Sequence, residues 1–421
     1  MAITAAGNNQ QNDLTYFECS PKEVICEFTK HINKVSDIRN LSLVSQHFFQ
    51  TIFGNKFQIW LTLLQSHFPV SFQVNLHGLE PKDLYHHLKS IDTNMSTGTY
   101  QLSSLSSHGD IIKCVEIKDG RLFSGSDDET IKIWDLQSGK LLHSLDSHQG
   151  SISCLCVQDE LLISGSLDRT IKIWDPASGK QIHSLEGHQG AINCLSMSNA
   201  GLISGSADGS IKIWDPASGK QIHSLDGHQG PISCFCEQDG MLISGSYDKT
   251  IKVWDLETGK LLYSLDQHQG PITCLSVKDG RFYSGSNDRT LKIWDLKTGM
   301  QLHSLDGHLR GVTCLAVKDG MLISGSGDET IKIWDIENGQ LIHNLKGHKR
   351  PISSLSVKDG MLFSGSYDRT IKVWDLGTGQ LLQSLDSHKG LVSCLSVKDG
   401  MLISGSSDKK IKIWDFTPRS T

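Results

Sequence analysis

The 421 residues carry 40 Lys and Arg against 46 Asp and Glu, a formal net charge of -6. The balance is similar in both parts of the chain, with seven basic against eight acidic residues over 1–98 and 33 against 38 over the remainder. Neither part has the basic excess that would release counterions from a nucleic acid or hold a membrane surface, and nowhere do eighteen apolar residues run together. Nucleic acid and membrane are therefore not expected partners. The start, "MAITAAGNNQQNDLTYF", lacks the basic and apolar regions of a secretory leader. The expected residence is cytoplasmic or nuclear, or the host cytosol were the chain a bacterial effector.

Residues 1–15 are short, polar and expected to be disordered, with no helix suited to dimerisation, so a monomer is expected outside any complex. Residues 16–66 show helical patterning. "SPKEVICEFTKHI" offers Ser20 as N-cap, Pro21 at the first helical position and Glu23 to complete a capping box, with Val24, Phe28 and Ile32 on one stripe. "SDIRNLSLVSQHFFQTI" places Ile38, Leu41, Phe48 and Ile52 at helical spacing, and "NKFQIWLTLL" adds Ile59, Trp60, Leu63 and Leu64. Three short helices result, in a module small enough to share its core with a neighbour. Residues 67–98 form a connector, with Leu84, Leu88 and Ile91 on one side of a helix followed by the looser "DTNMSTG".

From residue 99 to 421 one unit repeats. His108 recurs at 148, 188, 228, 268, 308, 348 and 388, and the Trp-Asp pair beginning at Trp134 recurs at 174, 214, 254, 294, 334, 374 and 414, a forty-residue period without insertion. Each unit reads as four short strands, as in "SISCLCV", "LLISGS", "IKIWD" and "KLLHSL". The first turn usually holds Asp-Gly, as at Asp239-Gly240, the pair that a two-residue hairpin favours. A small sheet that is apolar on both faces must stack against others, so a ring of four-stranded blades follows. After Asp415 only "FTPRST" remains, too little for a last outer strand, but Thr99–Leu105 aligns with Gly139–Leu145 and can supply it. The fold expected is an all-β eight-bladed propeller preceded by a small all-α domain. Seven of the eleven cysteines share one repeat position, where residue 354 is serine; this suits small buried hydrophobes in a reducing compartment better than a disulfide framework.

The Gly-His or Ser-His before the first strand, Ser-Gly-Ser-x-Asp after the second and Trp-Asp closing the third resemble the WD-repeat β-propellers. That resemblance implies a hydrogen-bonded set in each blade made of the histidine, a strand serine or threonine, the turn aspartate and the tryptophan. Blade two would use His148, Asp168 and Trp174, blade three His188, Asp208 and Trp214, and blade four His228, Asp248 and Trp254. Eight equal sets suit packing rather than chemistry, so no catalytic residue, metal or cofactor is expected.

Over residues 16–66 the chain resembles the F-box. Pro21, Glu23, Val24, Ile25, Asp37, Ile38, Leu41, Leu43, Val44, Ser45, Phe48 and Trp60 follow its pattern, with Ser20 in place of the usual leucine and Phe48 where tryptophan is common. The adaptor-binding surface implied comprises Pro21, Val24, Ile25, Phe28, Ile38, Leu41, Leu43, Val44, Phe48 and Trp60. Together the two halves resemble the F-box/WD-repeat substrate receptors of SCF-type ubiquitin ligases. The partners implied are the SCF adaptor, the cullin scaffold and a substrate protein, and the role is not enzymatic. The alternative is a WD-repeat scaffold that assembles some other complex.

Relatives that read phosphorylated peptides place arginines before the strand-one cysteine and just before the turn aspartate. This chain has no arginine at either position in any repeat. The loops do differ by sector: Arg310, Lys349, Arg350, Arg369, Lys389 and Lys409 cluster on blades six to eight, while blade one shows Asp127, Asp128 and Glu129. The expected substrate site is this basic sector, taking an acidic or phosphorylated segment, with Tyr247 and Tyr367 giving apolar contact nearer the channel.

Overall fold

The computed structural model describes residues 89–90, 93–95, 97–98, 100–158, 160–386 and 388–417. Residues 89–90, 93–95 and 97 are helical, so part of the stretch expected to be looser is helix. The Thr93 hydroxyl donates to the Lys89 carbonyl at 2.9 Å, a bond one helical turn back that lets threonine sit inside a helix.

Met95–Phe416 form one compact unit. Its strands make eight four-stranded antiparallel sheets. Blade one runs Ile112–Lys118, Arg121–Ser126, Ile131–Asp135 and Leu141–Leu145 from first strand to fourth. Blades two to eight begin at Ile152, Ile192, Ile232, Ile272, Val312, Ile352 and Val392. The first strands touch their neighbours all the way round, blade eight against blade one included, so the array is a closed eight-bladed propeller with those strands innermost.

Closure uses the chain's early segment. Gln101–Leu105 pairs with Ile411–Asp415, setting Leu102 opposite Trp414 and Leu105 opposite Ile411. The last blade therefore takes its fourth strand from ahead of the first blade, and the edge of Ile411–Asp415 is covered.

The apolar core lies between blades. Phe123, Ile131, Ile133 and Leu145 of blade one form one cluster with Ile152, Leu162 and Trp174 of blade two, and the same positions recur between blades six and seven. The first hairpin has the expected geometry where Asp-Gly is present: Asp239 has φ 54° and Gly240 φ 74°, the pair of positive angles that matches strand twist in a two-residue turn.

Candidate binding site

The polar set of blade two is complete. His148 Nδ1 lies 2.7 Å from Asp168 Oδ2 and His148 Nε2 lies 2.8 Å from Ser164 Oγ. The Trp174 indole N–H donates to the same Ser164 oxygen at 2.9 Å. Thr170 donates its hydroxyl and its main-chain N–H to Asp168 Oδ1 at 2.7 and 2.8 Å, and the Gln149 N–H donates to Oδ2 at 3.0 Å. An ionised carboxylate only accepts, so the imidazole proton sits on Nδ1 and Nε2 accepts from the serine. Burial alone would raise the Asp168 carboxyl, but the Gln149 N–H, the Thr170 hydroxyl and His148 outweigh it and hold the group at about 2. Burial lowers His148 from its usual value, and the bond to Asp168 only partly opposes this.

Blades three and four carry the same set. His188 and Asp208 are 3.0 Å apart, His228 and Asp248 2.8 Å, and Trp214 and Trp254 each donate at 2.8 Å to Ser204 and Ser244. The serine, histidine and aspartate stand as in a hydrolase, yet the serine oxygen is fully buried and already accepts the indole N–H. It is not presented to a substrate. The serine that does this, Ser164 rather than Ser166, was not identified from sequence, and neither was Thr170. Strand alternation puts both serines on one face and does not separate them; in the structure Ser166 instead donates to the Gly150 carbonyl in the loop.

A second set of bonds joins one blade to the next. The ladder between the first two strands of each blade is irregular at its start, between Ile152 and Cys154 in blade two. The extra residue of such a bulge has its side chain re-aimed. Ser153 accordingly bonds the Ile192 carbonyl of blade three. Asn193, Ser233, Thr273 and Thr313 reach Ile232, Ile272, Val312 and Ile352 of the following blades at 2.6–2.7 Å. Ser393 reaches Ile112 of blade one. Lys113 fills this position in blade one and pairs with Asp127 at 3.1 Å, while Asp127 also accepts from Ser151 of blade two. Among the described residues this serine latch is missing between blades seven and eight. Ser353, at the same position there, has a buried Oγ without a partner, as do Ser354 Oγ and Trp414 Nε1.

The cysteines beside these latches form no disulfide among the described residues. Burial pushes the Cys154, Cys234 and Cys314 thiols up to about 12, so they are protonated and unreactive at neutral pH.

The basic sector contains a cleft of about 580 Å³, lined by Lys349, Arg350, Pro351, Tyr367, Asp368 and Arg369 of blade seven and Leu391 of blade eight. Four of the eight residues expected to bind substrate meet there. Lys389, two residues before Leu391 of the cleft's far wall, does not line it. Lys409 turns away from the cleft toward the adjoining blade one, its ammonium donating to the Gly109 carbonyl at 2.6 Å. Arg310 lies on blade six, its Cβ beside Gly327. Tyr247 stands half-exposed at the same repeat position on blade four and does not line this cleft. Pro21, Val24, Ile25, Phe28, Ile38, Leu41, Leu43, Val44, Phe48 and Trp60 lie outside the described residues.

Eight segments, 99–135, 139–175, 179–215, 219–255, 259–295, 299–335, 339–375 and 379–415, match the family "WD domain, G-beta repeat". The chain belongs to the WD-repeat family. This WD-repeat propeller is also similar to the crystal structure of the computationally designed Ika8 protein, with a TM-score of 0.71 and 40% identity over 74% of this chain and 98% of that one. A probable E3 ubiquitin ligase complex SCF subunit, sconB, of Talaromyces marneffei is 30% identical over 84 residues. The stretch shared with it is 19% of this chain and 13% of that protein's length.

Proposed function

We propose that this chain is the substrate-recognition subunit of an SCF-type E3 ubiquitin ligase. In this reading residues 16–66 dock as an F-box on the adaptor, which joins them to the cullin scaffold, and the propeller holds a substrate protein, in the cytoplasm or nucleus. A WD-repeat propeller is in general a protein-interaction module. The observation that carries the finer reading is the F-box-like residue pattern directly ahead of that module, supported by the short likeness to an SCF subunit. The contribution would be proximity: substrate lysines held at high effective concentration near a ubiquitin thioester that another protein supplies.

The test is reconstitution with purified adaptor and cullin. Leu41→Ala, Leu43→Ala and Phe48→Ala combined should abolish co-purification, each lost interface anchor costing about 1 to 3 kcal/mol, while the propeller's melting stays unchanged. Undiminished capture by the triple variant would overturn the docking surface. A second reading, a WD-repeat scaffold outside any ligase, is supported by the WD-repeat match over residues 99–415. It predicts no adaptor capture by the unmodified chain.

A further inference from the structure

Blade seven differs from the others on its loop face. Blade four offers the nearest comparison, since it has the same proline and tyrosine, Pro231 and Tyr247, but Gln229 and Gly230 where blade seven has Lys349 and Arg350. Three cations, Lys349, Arg350 and Arg369, therefore surround the cleft of blade seven, and all three are exposed. None of them has a carboxylate partner among the described residues. The one acid in the cleft wall, Asp368, is occupied: His348 and the Lys349 N–H hold Oδ2 at 2.7 and 2.9 Å, and Thr370 holds Oδ1 with its N–H at 2.9 Å and its hydroxyl at 2.7 Å. Between the cations Tyr367 and Leu391 are 46% and 41% exposed, leaving apolar surface open where most of the propeller has its large side chains inside. Adjacent uncompensated cations and open apolar surface are complementary to a chain that alternates anions with an apolar residue.

The same junction also lacks the strand-one latch that its neighbours have. Ser353, Ser354 and Trp414, the three side chains with a buried polar atom lacking a partner among the described residues, all belong to blades seven and eight. Unmet buried groups are costly, so this seam is held less firmly than its neighbours, and a ligand bound to both walls of the cleft would hold it closed.

We propose that the loop face at the junction of blades seven and eight docks an extended anionic peptide. An apolar side chain of the peptide lies between Tyr367 and Leu391, and its flanking carboxylates or phosphates are held by Lys349, Arg350 and Arg369. The proposal rests on the receptor reading only for the identity of the protein that carries the peptide. The experiment is fluorescence anisotropy on the full chain with short labelled peptides: a central leucine flanked by glutamates, the same with phosphoserines, and the same with lysines. The glutamate or the phosphoserine peptide should bind, and whichever binds more tightly identifies the anion. The paired substitution Lys349→Glu and Arg350→Glu should weaken that binding about tenfold or more, Tyr367→Ala should weaken it about threefold, and added salt should slow association. Gln229→Glu on blade four should change nothing. Equal binding of the lysine peptide, binding indifferent to the paired reversal, or equally tight binding of a single-stranded oligonucleotide of the same charge would each overturn the site. The paired variant should still capture adaptor and cullin. Failure of adaptor capture with peptide binding intact would overturn the receptor reading and leave the site standing.

Discussion

The junctions between blades four and five and between blades seven and eight are built from nearly the same residues and are held differently. At the first, Ser233 bonds the Ile272 carbonyl at 2.6 Å and Tyr263 bonds the Leu296 carbonyl. At the second, Ser353 and Ser354 bond nothing, and Gln383 stands where Tyr263 does. Apolar packing is not what differs, because Phe363, Ile371, Val373, Val392, Leu402 and Trp414 are all buried. A ring can lack this strand-one latch at one seam, since every blade is still pressed between two others, and that seam is then a place where binding can alter the ring at low cost.

The largest effect should come from removing residues 99–105. The last blade would lose Gln101–Leu105, expose the far edge of Ile411–Asp415 and give up the buried Leu105, at a cost of roughly 3 kcal/mol or more. The thermal midpoint should fall sharply, and a melt unchanged by the deletion would show that closure does not depend on this strand.

Next in size are the aspartates of the polar sets. Asp248→Ala strands the ring nitrogen of His228, the Gln229 N–H and the Thr250 hydroxyl, and should cost about 1 to 3 kcal/mol. Asp408→Ala should cost about 1 kcal/mol less. Lys410 replaces the threonine there, and no hydroxyl is left without an acceptor. Equal losses in denaturant titrations would erase the difference between blades four and eight.

The latches give a smaller and more specific comparison. Ser233→Ala should cost about 1 kcal/mol, whereas Ser353→Ala should be neutral or stabilising because it removes a buried hydroxyl that bonds nothing. Ser354→Cys, restoring the residue of the other blades, should raise stability by up to about 1 kcal/mol. A loss on Ser353→Ala as large as on Ser233→Ala would mean that the seam is latched after all.

The gentlest slope is expected with pH. Burial lowers His108, His148, His188, His228, His308 and His388 below the ordinary histidine value of 6.5. The unfolded chain therefore takes up protons first, and stability falls as pH drops below 6.5 until the folded histidines titrate too. The aspartates act in the same direction at lower pH. Asp128, Asp168, Asp208, Asp248 and Asp328 are held at about 2 against the ordinary aspartate value of 3.8, a contribution present above 3.8 and lost as pH falls through about 2. Denaturant midpoints measured from pH 8 to about pH 2 should decline in these two stages, and a flat profile from pH 7 to pH 5 would contradict the buried neutral histidines.

The sequence by itself determined the forty-residue period, four strands per repeat, eight blades and the borrowing of Gln101–Leu105 by the last blade. These follow from strand alternation and from counting, because a blade's faces are set by a period of two residues and its partners by the next copy of the same text. It also singled out the histidine, aspartate and tryptophan of each polar set. Only the tertiary structure decided that Ser164 and not Ser166 accepts the indole, that Ser153 reaches across to Ile192 while Ser353 reaches nothing, and that four of the eight expected binding residues share one cleft while Lys409 turns toward Gly109. Those outcomes depend on rotamers at a bulge and on contacts between residues 39 or 300 positions apart. A repeat pattern treats each of them as equivalent, and only the closed ring brings them to different neighbours.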